Sequence, residues 1–544
     1  MWFINRLALL MRNTTAFLAA FLLFLSSCKK DNNSTPPPPP PQMKSDSTKL
    51  TLSNSQNAVD SFTVQYSGKW DITTAPSPVA WLKLSTVTGT GNTKVYVTTQ
   101  QANFTPLVHS ATLNLIPNGD ASKATTLSIT QNAFTLDSKI KWSKLYGGTD
   151  VENFGDVIRT PDGGYISVGT SSSMDGDIIG NHGTADLIAV KWGENGSIVW
   201  KKALGGSGGE LGYSIVQTTD GNYVIGAQAI FSDGDVTGTH GKADAWVVKI
   251  NGAGALLWQK AIGGTEEEFE GEVAASLDGG CVLAYTTRSS NGDVTGHHGS
   301  DDILLLKLDP AGNKVWQKAI GGSQEERAKG ITATADGGYI LTGVTNSRNG
   351  DFAYNDLSSG AFVIKVDANG NIVWNKTFGG SGLNQTNGMA PGAGGSYYVS
   401  GYTSSTNGGV TGNHGSYDFW LLKIDKDGNL VWQKTYGGTS VEYAYAITAK
   451  GDGTFYLAGQ AGSKDGDVSH QIGSMDGWVI NVDANGTLLW QRSFGGSSID
   501  YITGITADGA GGFVFSGVTR SNDGETVNSH GGLTDAWILR YGPQ

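Results

Sequence analysis

Acids and histidines recur along this chain at fixed spacings, and they are the residues with the most chemistry to offer. One phrase runs Asp233-Gly234-Asp235, then His240-Gly241, then Asp244; the next copy runs Asn291-Gly292-Asp293, His298-Gly299 and Asp302. A second phrase sets an acid shortly after a Gly-Gly pair, at Glu152, Glu210, Glu268, Glu326, Glu442 and Asp500. Carboxylates in this pattern suit calcium, a hard cation that takes oxygen ligands. Glu210, Asp235, His240, Asp244, Glu268, Asp293, His298 and Asp302 form a candidate ligand rim. Calcium at Asp235, Asp244, Asp293 and Asp302, with the histidines as supports, is the secondary reading beside the favoured one, hydrogen-bonding struts. Zinc is disfavoured, because one histidine per copy supplies too few ligands. The same residues would also serve as struts, since buried loop polar groups must find partners and Asp-Gly accepts the positive φ of tight loops. No cofactor is required on that reading. A third use is general acid and base in polysaccharide cleavage.

The copies depart from one another. Asp356 stands where a histidine is expected and Gly360 where the later aspartate belongs; Asn384 and Gly409 replace two acids in the following copy, and Ile472 replaces another histidine. A structural network tolerates such losses, and a single pocket needs only one or two intact copies. Cys281 takes the place of Tyr165, Tyr223 and Tyr339 and reads as a small buried residue. No nucleophile elbow stands out, and neither a His-Glu-x-x-His motif nor a phosphate-cradling loop is present.

The elements that carry these residues follow from a longer period. Trp142, Trp200, Trp258, Trp316, Trp374, Trp432 and Trp490 are each 58 residues apart. Seven copies without an insertion specify a repeat architecture. Each unit reads as four strands: Tyr213 to Thr218, a turn at Asp220-Gly221, Tyr223 to Ala227, a long loop, Ala245 to Ile250, a turn at Gly252-Ala253-Gly254, and Leu256 to Lys260. With 79 glycines in 544 residues and 16% charged residues, helical bundles are excluded and an all-β, turn-rich chain is expected. Four antiparallel strands per unit and seven units predict a seven-bladed β-propeller over residues 138–544. The array begins with a Trp-bearing fourth strand and ends after a third strand, so the N-terminal strand is expected to complete the last blade and remove two free edges. The acid- and histidine-bearing loops then emerge on one rim of the disk.

Several families share these phrases. Ile364-Lys-Val-Asp367-Ala-Asn-Gly370-Asn-Ile-Val-Trp374 resembles the tryptophan-docking repeat of quinoprotein propellers. It lacks that motif's Thr before Gly, and the unit count is seven where those enzymes have eight. The chain has no vicinal cysteine pair, so the tryptophans are taken as packing between blades. The whole unit is more similar to repeats of secreted Bacteroidetes proteins, and WD-type propellers use Asp and His in these loops as struts. Residues 46–135 carry alternating runs such as Phe62-Thr-Val64-Gln-Tyr66 and Ala111-Thr-Leu113-Asn-Leu115, the pattern of a small antiparallel sandwich. Trp70-x-Ile72, Trp81-Leu82, Gly89-x-Gly91, Val95-x-Val97, Asn103 and Leu127-x-Ile129-x-Gln131 resemble the BACON domain, an Ig-like fold of Bacteroidetes surface proteins. That resemblance implies carbohydrate or mucin binding or a spacer role; Trp70 and Trp81 read as core.

The N-terminus predicts an anchor. Arg6 and Arg12 precede an apolar run from Ala16 to Leu25, too short to span a bilayer but suited to a signal peptide over residues 1–27. Leu25-Ser26-Ser27-Cys28 resembles the lipobox of bacterial lipoproteins, which implies lipidation of Cys28. Residues 28–45 include Pro36 to Pro41, a polyproline stalk of about 3.1 Å per residue. Lys29 and Lys30 with Asp31 resemble a surface-export tether. A net charge of −12 and no basic run argue against nucleic acid as a partner. Anchor, stalk, sandwich and disk in this order point to a lipid-anchored, surface-exposed outer-membrane protein that binds glycans or a surface protein. The alternatives are a polysaccharide hydrolase or lyase using the rim acids, and a scaffold subunit of an outer-membrane assembly.

Overall fold

The computed structural model describes residues 42–53, 57–100, 108–132, 138–352 and 359–543. Cys28, the proline stalk, Asn103 and Asp356 lie outside the described residues. The regular elements among the described residues are all β-strands apart from three single-turn 3-10 helices.

The first unit is a two-sheet sandwich. One sheet orders Lys44–Ser45, Val59–Gln65, Thr93–Thr99 and Leu82–Leu84; the other orders Lys49–Leu52, Thr125–Gln131, His109–Pro117, Lys69–Ala75 and Thr88–Thr90. Pairing already begins at Lys44, and Lys49–Leu52 runs parallel to Ser128–Gln131, so the sandwich is not wholly antiparallel. Inward positions alternate along each strand, as the period-two pattern requires, and bring Phe62, Val64, Ile72, Val95, Val97, Leu113, Leu115, Leu127 and Ile129 into one core. Trp70 belongs to it. Its ring covers the α-carbon of Gly89, where a β-carbon would collide, and its indole N–H donates to Gly91 O at 3.0 Å. Trp81 is half-buried against that core.

Seven four-stranded antiparallel sheets occupy residues 138–543. Within a unit the strands lie side by side in chain order, as in Glu152–Arg159, Tyr165–Ser171, Asp186–Trp192 and Ile198–Leu204. The first strand of each unit packs against the first strands of its neighbours and lines the axis. The second and third strands are buried on both faces, because sheets stack face to face. This explains their nearly continuous apolar runs, such as Asp302–Leu308. The fourth strand is the outer, wetted edge.

The repeated tryptophans hold successive sheets together. Trp200 donates its indole N–H to Gly252 O at 3.0 Å, Trp258 to Pro310 O at 3.1 Å, and Trp316 to Ala368 O at 3.2 Å. Each ring covers the glycine in the next unit's hairpin turn, Gly254, Gly312 or Gly370, where φ is +74° to +81°. Only a residue without a β-carbon fits both the turn and the ring above it.

The last sheet takes Asp500–Ala507, Phe513–Thr519 and Asp535–Pro543 from the C-terminal end and Ser138–Tyr146 from the start of the array. Contacts join this sheet to the first. Trp142 donates to Glu194 O at 2.9 Å, Thr503 Oγ1 to Phe154 O at 2.6 Å, and Thr534 Oγ1 to Glu152 O at 3.0 Å. Trp490 faces the seam where third and fourth strands come from opposite chain ends. With no covalent hairpin there, it packs on Phe513 and Tyr541.

Candidate functional site

The recurring acids and histidines assemble between sheets. At the junction of the second and third units, Asp244 starts a third strand and Glu268 starts the next unit's first strand; both are fully buried. Asp244 Oδ2 accepts the His240 N–H at 2.7 Å and lies 3.1 Å from its ring Nδ1. The other ring nitrogen, Nε2, sits 3.8 Å from Asp293 Oδ2 of the third unit. Glu268 accepts the Gly264 N–H at 3.0 Å and the Thr287 hydroxyl at 2.6 Å. Five of the seven junctions, those at His182, His240, His298, His414 and His530, are quartets of this kind, a histidine and an aspartate from one unit and two acids from the next.

The structure groups the sequence-predicted residues accordingly. His240, Asp244, Glu268 and Asp293 form one complete quartet. Glu210 and Asp235 belong to the preceding one with His182 and Asp186, where Asp235 Oδ2 accepts the Gly205 N–H at 3.3 Å. His298 and Asp302 belong to the following one with Glu326 and Asp351. Asp235 and Asp244 sit in one unit yet serve different junctions. The expected calcium set is thus divided, and among the described residues no group of three or more His, Cys, Asp or Glu is disposed to hold a metal.

Within each quartet the two buried carboxyls face each other across a glycine. A β-carbon on Gly437 would meet Glu442 Oε2 at 2.5 Å and Asp418 Oδ1 at 2.8 Å; on Gly147 it would meet Asp535 Oδ1 at 2.5 Å and Glu152 Oε2 at 2.6 Å. Asp186 Oδ1, Glu210 Oε1, Asp244 Oδ1, Asp302 Oδ1 and Asp418 Oδ1 are buried without a hydrogen-bond partner. Burial, opposed by the Gly206 N–H and reinforced by Asp186, pushes Glu210 up to about 7. Burial also raises Asp244, Glu268, Asp418 and Glu442. Asp476, whose histidine is replaced by Ile472, is pushed up to about 6 by burial and then by Asp500 and Glu525. A buried like-charged pair with an orphaned oxygen is best satisfied by one shared proton.

One junction has neither carboxyl of the buried pair. Gly360 and Asn384 meet there, with Gly409 at the fourth place. Asn384 Oδ1 accepts the Thr403 and Ser405 hydroxyls, and its amide donates to Ser359, Gly380 and Gly382 carbonyls. The aspartate and its glutamate are lost together, as expected of a coupled pair.

The axis is chemically different from this regular frame. After the buried acid of each first strand, or Asn384 in its place, comes a residue that varies freely: Asn153, Leu211, Phe269, Arg327, Gln385, Tyr443 and Tyr501. A cavity of about 340 Å³ opens beside three of them, Asn153, Leu211 and Tyr501, and is lined also by Tyr213, Glu272 and Thr503. Arg288 and Arg327 flank the Phe269 ring at 4.9 and 5.5 Å and share Asp301. Lys329 pairs with Glu270 at 2.5 Å, and Glu270 is one of few non-glycine residues at positive φ, +60°.

Two axial carboxyls are also perturbed. Asp156 accepts the Val157 and Ile215 N–H groups at 2.7 and 3.1 Å, and burial pushes it up to about 6. Glu272 is pushed up to about 8, by burial first and then by Asp156, against the pull of Lys329. Both lie deep in the channel, although the cavity leaves them half-buried rather than sealed. Ser214 donates to Asp156 at 3.4 Å and also serves Glu272. Sequence reading missed Asp156, Glu272 and the variable ring. Their signal was the chemical disagreement between aligned repeats. Cys281 is buried, and its thiol is pushed up to about 12 by burial, so it is no nucleophile.

A larger hollow of about 490 Å³ lies over Trp70 and Gly89 at the sandwich edge. It gathers no cluster of perturbed titratable groups.

No known protein family matches the chain. Regulatory protein FlaEY of Caulobacter vibrioides is 25% identical over 378 residues, which cover 60% of this chain and 38% of that protein. The chain therefore spans well under half of that relative's length. Among solved structures, the WD40 domain of Neurospora crassa Pan2 is similar at 8% identity and TM-score 0.42, covering 75% of this chain and 95% of that one. BBS1N in complex with ARL6DN is similar at 11% identity and TM-score 0.40, covering 75% and 97%. Independently of them, the sheet topology of residues 138–543 is that of a β-propeller.

Proposed function

We propose that this chain is a lipid-anchored binding protein exposed on the outer-membrane surface. Cys28 carries the lipid, the proline run is a stalk, a BACON-like sandwich is the spacer, and a closed seven-bladed propeller receives a glycan or a surface protein. The observation that carries the reading is the contrast between the junctions and the axial mouth. Packing residues repeat from unit to unit, whereas the equivalent first-strand positions hold the unlike side chains Asn153, Leu211, Phe269, Arg327, Gln385, Tyr443 and Tyr501, of which Asn153, Leu211 and Tyr501 line a cavity. Packing alone has no need for such variety at one equivalent position; recognition of an asymmetric ligand does. Mature protein applied to glycan and mucin arrays, with a parallel pull-down from membranes, tests it. Selective retention of a glycan or of one surface protein supports the reading, and silence of the folded protein in both overturns it. Cys28→Ala should release the protein into the soluble fraction.

A polysaccharide hydrolase or lyase is a second reading, favoured by Asp156 and Glu272. Two carboxyls with unequal raised pKa values, sharing Ser214 beside a cavity, suit an acid and a base. The acids would then work at the axis and not at the rim. Release of reducing ends from polysaccharides, abolished by Glu272→Gln, would support it. Equal release by that variant would remove it.

A further inference from the structure

Three tyrosines meet at one junction, and no other junction has their equivalent. Tyr402 is the next-to-last residue of a second strand, Tyr417 precedes the third strand of the same unit, and Tyr443 follows the buried acid of the next unit's first strand. Their rings form a tilted cluster: Tyr402 to Tyr443 is 4.8 Å at 85°, Tyr417 to Tyr443 is 5.2 Å at 39°, and Tyr402 to Tyr417 is 6.0 Å at 77°. The same three positions hold Thr286, Asp301 and Arg327 at one junction and Val518, Thr534 and Asn153 at another. The frame therefore does not need aromatics here.

The hydroxyls set these tyrosines apart from the structural ones. Tyr398, Tyr436 and Tyr456 each donate to a carbonyl of a neighbouring unit. Among the described residues, Tyr402, Tyr417 and Tyr443 make no such bond, and none of their oxygens is sealed from solvent. Half-buried aromatic faces with unused hydroxyls offer an apolar surface with a polar edge. That combination matches a pyranose, whose C–H face packs on a ring while its hydroxyls seek partners.

Charge narrows the class. The mouth's cations lie at other junctions: Arg288 pairs with Glu267 and Asp301, Arg327 with Asp301 and Glu325, Lys329 with Glu270, and Arg520 stands near Tyr501. Among the described residues no lysine or arginine lies over Tyr402, Tyr417 or Tyr443, and the fixed charge that bears on Tyr402 is the acid Glu270, so the cluster offers nothing to a carboxylated or sulfated sugar. We propose that Tyr402, Tyr417 and Tyr443 form a subsite for an uncharged pyranose unit of a glycan, a proposal that rests on the binding reading above.

The test uses the mature chain with tyrosine rings isotopically labelled, titrated with neutral methyl glycosides of glucose, galactose and mannose and with methyl glucuronide. The expected result is saturable perturbation of the three ring signals by a neutral glycoside. Affinity should fall about tenfold in Tyr443→Ala and less in Tyr443→Phe, with unchanged melting curves. If Tyr443→Ala does not fold, Tyr417→Ala gives the same readout from the cluster's outer edge. Saturable binding that perturbs other residues and ignores both substitutions overturns the subsite and leaves the binding reading standing. Tighter binding of the glucuronide overturns the charge argument and with it the proposal. Silence towards every glycoside, alongside capture of a surface protein, overturns the sugar subsite and restricts the binding reading to a protein ligand.

Discussion

The carboxyl pairs make a prediction that separates them from ordinary salt-bridge struts. Glu210 is fully buried, accepts the Gly206 N–H at 2.8 Å through Oε2, and leaves Oε1 without a partner. Facing it are Asp186, whose Oδ1 is also orphaned, Asp233 and Asp235 of its own unit, and His182 on the far side of Asp186. Its pKa is raised from 4.5 to about 7, so the folded state holds this proton more tightly than the unfolded chain does. The linked stability is complete below the ordinary carboxyl range and is lost as pH rises through about 7. At about 1.4 kcal/mol per pKa unit, ionising Glu210 in place costs roughly 3 kcal/mol. Glu210→Gln keeps the shape, abolishes the titration, and lets the amide oxygen keep the Gly206 N–H. Urea unfolding at a series of pH values is the assay. The variant should match the wild type near pH 5 and exceed it by about 1–3 kcal/mol near pH 9. A variant that is destabilised equally at both ends, or a wild type with flat stability across that range, would refute the shared proton.

Further expectations follow from the same geometry. Gly263→Ala would drive a β-carbon into Glu268 Oε2 and Asp244 Oδ1 and should lower stability by about 2–4 kcal/mol, read from the urea midpoint. Because the junction carboxyls already hold backbone N–H groups, hydroxyls or a proton, melting curves with millimolar calcium and with chelator should superimpose; a clear upward shift with calcium would restore the metal reading. Gly312→Val would collide with the Trp258 ring while forcing a β-branched residue to φ +81°, and should cost more than the same change at Gly221, beside whose β-position nothing lies within 4 Å.

The all-β class, the four-strand unit and the repeat were legible because the 58-residue period fixes the tryptophans and turn glycines together. A Trp that must cover the next unit's turn glycine cannot drift in spacing, so packing imposed the very signal that sequence reading used. The partnership of the acids was illegible for the converse reason. His182 and Asp186 come from one unit, Glu210 and Asp235 from the next, and nothing local in the chain marks that Asp235 looks backward while Asp244 looks forward. Asp156 and Glu272 were hidden differently. Each is an unremarkable acid in a strand, and only the convergence of the first strands at the axis brings them to one channel.

The junction without the buried pair gives the division of labour its firmest support. If the acids were a ligand site, losing one member would leave the others free to serve or to drift separately. Here Gly360, Asn384 and Gly409 depart together and the described replacements are neutral, while Ile472, which replaces its histidine alone, still donates its backbone N–H to Asp476. Thr386 Oγ1 donates to Phe362 O at 2.8 Å and accepts the Gly343 N–H at 3.0 Å, while Thr342 Oγ1 donates to Asn387 O at 2.5 Å. A charged interlock has been exchanged for a neutral one that performs the same joining. Residues that can be replaced as a block by hydroxyls and an amide are joints. The side chains that differ without compensation, at the mouth of the axis, are where this chain has room for a specific ligand.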